Sequence, residues 1–143
     1  MSEKTIRVLL VEDNPGDARL VQETLNELDS PQFELTHVER LSQARQRLAE
    51  EQFDVVLLDL VLPDKPRMGS LIEIHDQAER VPIVVLTGMD DETMASWTLE
   101  EGAQDYLIKG QTDRESLVRT IRHAIQRHRT QSGKLRSAPA RFA

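Results

Sequence analysis

The chain contains no cysteine, which excludes a disulfide framework and thiolate chemistry and is compatible with a reducing cytoplasm. No apolar run reaches the length needed to cross a bilayer, and the N-terminus MSEKTIRVLLVED lacks the layout of a signal peptide. Membrane insertion is therefore not expected. Aromatic residues amount to 3% of the chain, too few to interleave with basic residues as on a nucleic-acid stacking platform. What is present is ordinary for a globular protein: 143 residues, 38% hydrophobic and 30% charged, enough for one domain with one core.

Acidic residues are missing from one stretch. Between Arg119 and Ala143 stand Arg119, Arg122, Arg127, Arg129, Lys134, Arg136 and Arg141, with no Asp or Glu. Seven of the 18 basic residues lie there, leaving eleven against all 25 acids before it. An acidic body thus carries a basic C-terminal segment. A partner of negative charge could use it, but a helix end that favours cations followed by a solvated tail is the preferred reading, and no direct nucleic-acid contact is expected.

Five short apolar runs alternate with amphipathic stretches. The pattern predicts strands at Ile6–Val11, Phe33–Val38, Phe53–Leu58, Val81–Leu86 and Asp105–Ile108. Between them it predicts a helix to about Leu28 with Ala18, Leu20, Val21, Thr24, Leu25 and Leu28 inward. A second is capped by Ser42 with Ala44, Leu48 and Ala49 inward, a third spans Ser70–Glu79 and a fourth Asp91–Glu101. The last helix starts at the capping box Thr112-Asp-Arg-Glu115 and ends near Arg129. This gives one domain over residues 1–129, with 130–143 as a basic flexible tail or linker. Strands apolar without alternation are buried on both faces, so the sheet is parallel and covered by helices. Five such units make an open, doubly wound α/β fold whose ligands bind beyond the carboxyl ends of the strands.

The residues at those ends are Glu12 and Asp13 after the first strand, Asp59 after the third, Thr87 after the fourth and Lys109 after the fifth. Three neighbouring carboxylates resist ionising together unless a cation joins them, and an all-oxygen set suits magnesium. One carboxylate can then attack phosphorus while the metal and Lys109 neutralise the phosphoryl oxygens and Thr87 donates a hydrogen bond. Each residue alone means little, since acids after strands commonly cap helices. Five at strand ends point to phosphoryl chemistry.

The segments VLLVEDNPGDARLV, DVVLLDLVLPD, PIVVLTG and GAQDYLIKG resemble the landmark segments of response-regulator receiver domains, over about Ile6 to Arg129. The resemblance implies a flavodoxin-like sheet of strand order 2-1-3-4-5 and a phosphorylation-dependent switch. Asp59 matches the phosphoacceptor, and Glu12, Asp13 and the Val61 backbone carbonyl match the magnesium ligands. Thr87, Gly88 and Lys109 match the phosphate-binding residues, and Tyr106 the switch aromatic. The implied donor is a sensor histidine kinase or a phosphotransfer protein. The implied response is a change in the face made by helix four, strand five and helix five, read by a downstream protein, a fused output domain or a second copy. Apart from its own phosphorylation and slow hydrolysis, no enzymatic activity is implied. A constitutive interaction module on the same fold is the alternative. An aspartyl-phosphate phosphatase typically carries a second Asp two residues after the nucleophile, where this chain has Val61.

Two places depart from the family pattern. LPDKPRMG puts Gly69 two residues late and brings Lys65 and Arg67 into a loop beside Asp59; a tolerated surface insertion is the simpler reading. Lys109-Gly110 replaces the common Lys-Pro, so a trans bond is expected. Val61 and Met89, at positions bordering the approach of hydrolytic water, carry no group to orient it, and slow self-hydrolysis is expected. Trp97, the single tryptophan, falls at the solvent border of helix four, as a partner anchor or packed against its own helix. His37, His75, His123 and His128 show no ligand spacing.

Overall fold

The computed structural model describes residues 5–26, 33–59, 67–77, 80–88, 92–109 and 112–137, with backbone alone at 67–70, 87, 92–95 and 131–137. Strands β1 (Ile6–Val11), β2 (Phe33–Val38), β3 (Val55–Asp59), β4 (Ile83–Thr87) and β5 (Asp105–Ile108) alternate with helices α1 (Pro15–Asn26), α2 (Leu41–Glu50), α3 (Arg67–Gln77), α4 (Glu92–Glu100) and α5 (Arg114–Ser137). All pairings are parallel, in the order β2-β1-β3-β4-β5, so the expected α/β architecture is present.

Period-two geometry sorts the apolar runs into two cores. Val8, Leu10, Val55, Leu57, Val84 and Leu86 face one side, with Ala18 and Leu25 of α1 and Leu117, Ile121, Ala124 and Ile125 of α5. Leu9, Val11, Val56, Leu58, Ile83 and Val85 face the other, with Leu41 and Ala44 of α2 and Leu71 and Ile74 of α3. The half-buried Trp97 of α4 and Tyr106 of β5 pack against this second core.

Several local expectations are corrected. In α1 the inward stripe is Ala18, Val21 and Leu25, whereas Leu20 is 61% exposed; Leu28 lies outside the described residues. Ser42 is not the cap of α2. The helix begins two residues earlier than that cap would allow because Leu41 is needed in the core, with Arg40 at the cap. Gln43 Oε1 accepts from the Glu39 and Arg40 N–H groups at 3.0 and 3.1 Å. Its inward stripe is Leu41, Ala44 and Leu48, and Ala49 is exposed. Helix α3 starts at Arg67, so Arg67 and Gly69 belong to its first turn rather than to the preceding loop. Strand β4 begins after Pro82, which has no N–H to give the ladder.

At α5 the cap is Asp113, whose Oδ1 accepts from Ser116 N–H at 2.8 Å, while Thr112 Oγ1 turns back to the Ile108 carbonyl at 2.9 Å. The helix also continues eight residues beyond Arg129, through Gly133 to Ser137. Once a helix is nucleated each added residue gains a hydrogen bond, and a single glycine costs about 1 kcal/mol, too little to end it.

Candidate functional site

The topology delivers the acids to one edge. β1 and β3 pair in parallel through Val11↔Leu58, and one step further each chain turns acidic, at Glu12 and Asp59. The Glu12 N–H donates to the Val38 carbonyl at 3.0 Å, which ties the turn after β1 to the end of β2. Helix α1 then starts at once. Asn14 Oδ1 caps it by accepting from Asp17 N–H at 3.0 Å, and Pro15 occupies its first turn, where a missing N–H has no consequence. Lys109 follows the last pairing of β4 and β5, Thr87↔Ile108.

Carboxylate oxygens of Glu12, Asp13 and Asp59 lie within 4.8 Å of one another. Glu12 is fully buried, Asp59 is 5% exposed and Asp13 is exposed. Lys109 Nζ lies 3.0 Å from Asp59 Oδ2, 3.0 Å from Asp17 Oδ2 and 2.5 Å from Glu12 Oε1. Among the described residues that buried Glu12 oxygen meets the Lys109 charge as an ion pair and has no other donor. Its other oxygen accepts from Asn14 N–H at 3.1 Å.

Burial and the adjacent Asp59 carboxyl together raise the Glu12 pKa to about 7, against the opposing pull of Lys109 and the Asn14 N–H. Burial would by itself make the Lys109 ammonium easier to deprotonate, but Glu12, Asp17 and Asp59 outweigh it and hold the group charged, its pKa raised. The pocket has more carboxylate than one ammonium can neutralise. Three carboxylates sharing one ammonium, in an all-oxygen cluster of this size, fit a hard divalent cation.

Of the residues expected at the site, the structure brings Glu12, Asp13, Asp59 and Lys109 together. Thr87 ends β4 at the same edge, but its side chain lies outside the described part. Gly88 is exposed, and a Cβ there would meet nothing among the described residues. Val61, Lys65, Met89 and Gly110 lie outside the described residues, as does the side chain of Arg67. Tyr106 is half-buried beside β4, paired with Val85. Trp97 is half-buried in the same core.

Two participants escaped the sequence reading. Asp17 contacts Lys109 across 92 positions of sequence; the signal was the Asn-Pro helix start, which puts Asp17 in the first turn at this edge. His37, set aside for want of ligand spacing, has Nε2 2.7 Å from the Glu12 carbonyl. No spacing rule could have found a contact to backbone.

No helix among the described residues is long and apolar enough to cross a membrane. Comparison with known proteins gives a consistent family. The transcriptional regulatory protein MalR of Bacillus subtilis is 35% identical over 105 residues, covering 73% of this chain and 44% of MalR. The chain spans no more than about half the length of the other curated relatives it matches. Among solved structures, the BeF3-activated receiver domain of RstA from Klebsiella pneumoniae is 31% identical with a TM-score of 0.74, covering 83% of this chain and 97% of that one. The receiver domain of the sensor histidine kinase PA1611 from Pseudomonas aeruginosa, with magnesium coordinated in its active-site cleft, is 29% identical with a TM-score of 0.73, covering 86% and 99%. The family model for the response regulator receiver domain matches residues 8–122, and with this fold and this strand-end geometry the chain belongs to that family.

Proposed function

We propose that this domain is a phosphorylation-dependent switch that accepts a phosphoryl group on Asp59 with magnesium. One observation carries the reading: the Lys109 ammonium lies 3.0 Å from Asp59 Oδ2 inside a carboxylate cluster spanning 4.8 Å. Glu12, Asp13 and Asp59 would hold the metal, with the Val61 carbonyl as a further ligand implied by the family pattern. The bound cation supplies neutralisation of the phosphoryl oxygens as their charge builds.

The remaining chemistry belongs to the chain. An Asp59 oxygen forms a bond to phosphorus, and the P–N bond of a kinase or phosphotransfer-protein phosphohistidine breaks. The electron pair leaves on the imidazole nitrogen, which takes up a proton, and an acyl phosphate remains. Lys109 meets the phosphoryl oxygens from the β5 side, and Thr87 and the Gly88 N–H meet them from the β4 side. Tyr106, between Val85 and the core that holds Trp97, would carry the change to the face of α4, β5 and α5. A partner protein, a fused output domain or a second copy would read that face.

The domain works in the cytoplasm and catalyses only its own phosphorylation and slow hydrolysis, on this reading. The magnesium-bound PA1611 receiver and the BeF3-activated RstA receiver support it.

Intact-mass measurement after exposure to phosphoramidate tests the proposal. One phosphoryl adduct is expected with magnesium, little in EDTA, and none in Asp59→Asn. Wild-type protein that stays unmodified at saturating donor and magnesium would turn the reading to a constitutive interaction module.

A further inference from the structure

The first turn of α1 carries an acid that the helix does not use. In a capping box the acidic residue at the third helical position accepts from the N–H of the cap residue. Asp17 stands at that third position, after Asn14 at the cap, Pro15 and Gly16. Here, however, the Asn14 N–H donates to Glu12 Oε2 at 3.1 Å. The acid of the site has taken the donor that Asp17 would ordinarily meet. The Asp17 carboxylate turns outward from its own helix end and accepts from Lys109 Nζ at 3.0 Å.

An ammonium has three N–H donors. Asp59 and Asp17 each accept one at 3.0 Å, and Glu12 lies 2.5 Å away. Lys109 is the first residue after β5, on a flexible four-carbon stem. Its two other anchors, Glu12 and Asp59, are both buried. Asp17, 43% exposed by its side chain, pulls from the open side of the cluster.

We propose that Asp17 is a positioning residue of the phosphorylation site, holding the Lys109 ammonium over the outer face of Asp59, where an incoming phosphoryl group presents its oxygens. The role rests on the phosphorylation reading above. It assigns α1 a part in the chemistry: its first turn supplies the anchor that aims the cation.

A merely structural Asp17 would act through the helix dipole, and that contribution does not depend on Lys109. The test is therefore a double-mutant cycle of phosphorylation rate, at saturating magnesium with phosphoramidate, on wild type, Asp17→Asn, Lys109→Met and the pair. Asp17→Asn is expected to slow labelling about three- to fivefold, the size a half-exposed ion pair supports. In the Lys109→Met background the same substitution is expected to change nothing. Asp17→Glu, which keeps the charge on a longer arm, is expected to recover part of the rate. Equal slowing in both backgrounds, or none in either, overturns the positioning role while leaving Asp59 as acceptor. Wild type that takes no phosphoryl group overturns the underlying reading and this role with it.

Discussion

Glu12 behaves unlike most carboxylates in a folded protein. Its pKa rises to about 7 through burial and the nearness of Asp59. A group whose folded-state pKa exceeds its unfolded value lends stability that is complete below the unfolded pKa and is lost as pH rises through the folded one. For metal-free protein that window runs from about 4.5 to about 7. Urea midpoints in EDTA are therefore expected to fall across it, by an amount on the order of 3 kcal/mol at most. Glu12→Gln is expected to remove most of that slope and to weaken magnesium binding. A midpoint rising steadily over this range in wild type would contradict the arrangement. Gly102 makes a second residue-scale case. It takes φ 113°, the one positive value among the described residues, and a Cβ there would run into the His75 ring of α3. Gly102→Ala is expected to cost about 1–2 kcal/mol from backbone strain, read as a urea midpoint shift.

Elements show where local signals held and where packing overrode them. The cap of α2 falls two residues before the Ser42 signal, and the cap of α5 one residue after the Thr112 signal. At α2 the hydroxyl lost because Leu41 had to start the buried stripe, and Gln43 supplied the acceptor from inside the first turn. At α5 Thr112 serves the end of β5 and Asp113 serves the helix. The hydrogen bonds from Ser116 hold the Asp113 pKa below its usual value, so its contribution is present above the ordinary carboxylate range and lost as pH falls through the depressed value. Asp113→Ala is expected to lower the thermal midpoint at neutral pH, with the gap to wild type closing in acid. Asp113→Asn, which keeps the accepting oxygen, is expected to lie between them. A gap that persists unchanged at low pH would count against Asp113 as the cap. The continuation of α5 to Ser137 was illegible because the small, polar composition there speaks only of weak burial, and a helix already nucleated on Leu117, Ile121 and Ile125 does not need burial to extend.

At the scale of the molecule, β3 sits between β1 and β4, with every residue from Val55 to Asp59 buried. Its alternating side chains divide between the two cores. Leu57→Ala, in the core under α1 and α5, and Leu58→Ala, in the core under α2 and α3, are each expected to cost about 2–5 kcal/mol. Because one strand joins both cores, each variant is expected to unfold in one cooperative step. Separate transitions by near-UV and far-UV signals would show instead that the cores melt independently.

The run of apolar strands, their regular alternation with helices and the chemistry of the residue after each strand were legible in the sequence, because each is written within a few consecutive positions. A parallel sheet then brings every carboxyl end to one edge, so Glu12, Asp13, Asp59 and Lys109 could be grouped before any coordinates. The tertiary structure decided what depends on distance across the chain. It alone set Lys109 among three carboxylates and raised the pKa of Glu12 by burying it. It also turned Asp17 away from its own helix end and put His37 against a backbone carbonyl. Pattern fixes which face and which edge a residue occupies; charge balance and hydrogen-bond partners follow only from the ångström-scale separations that packing imposes.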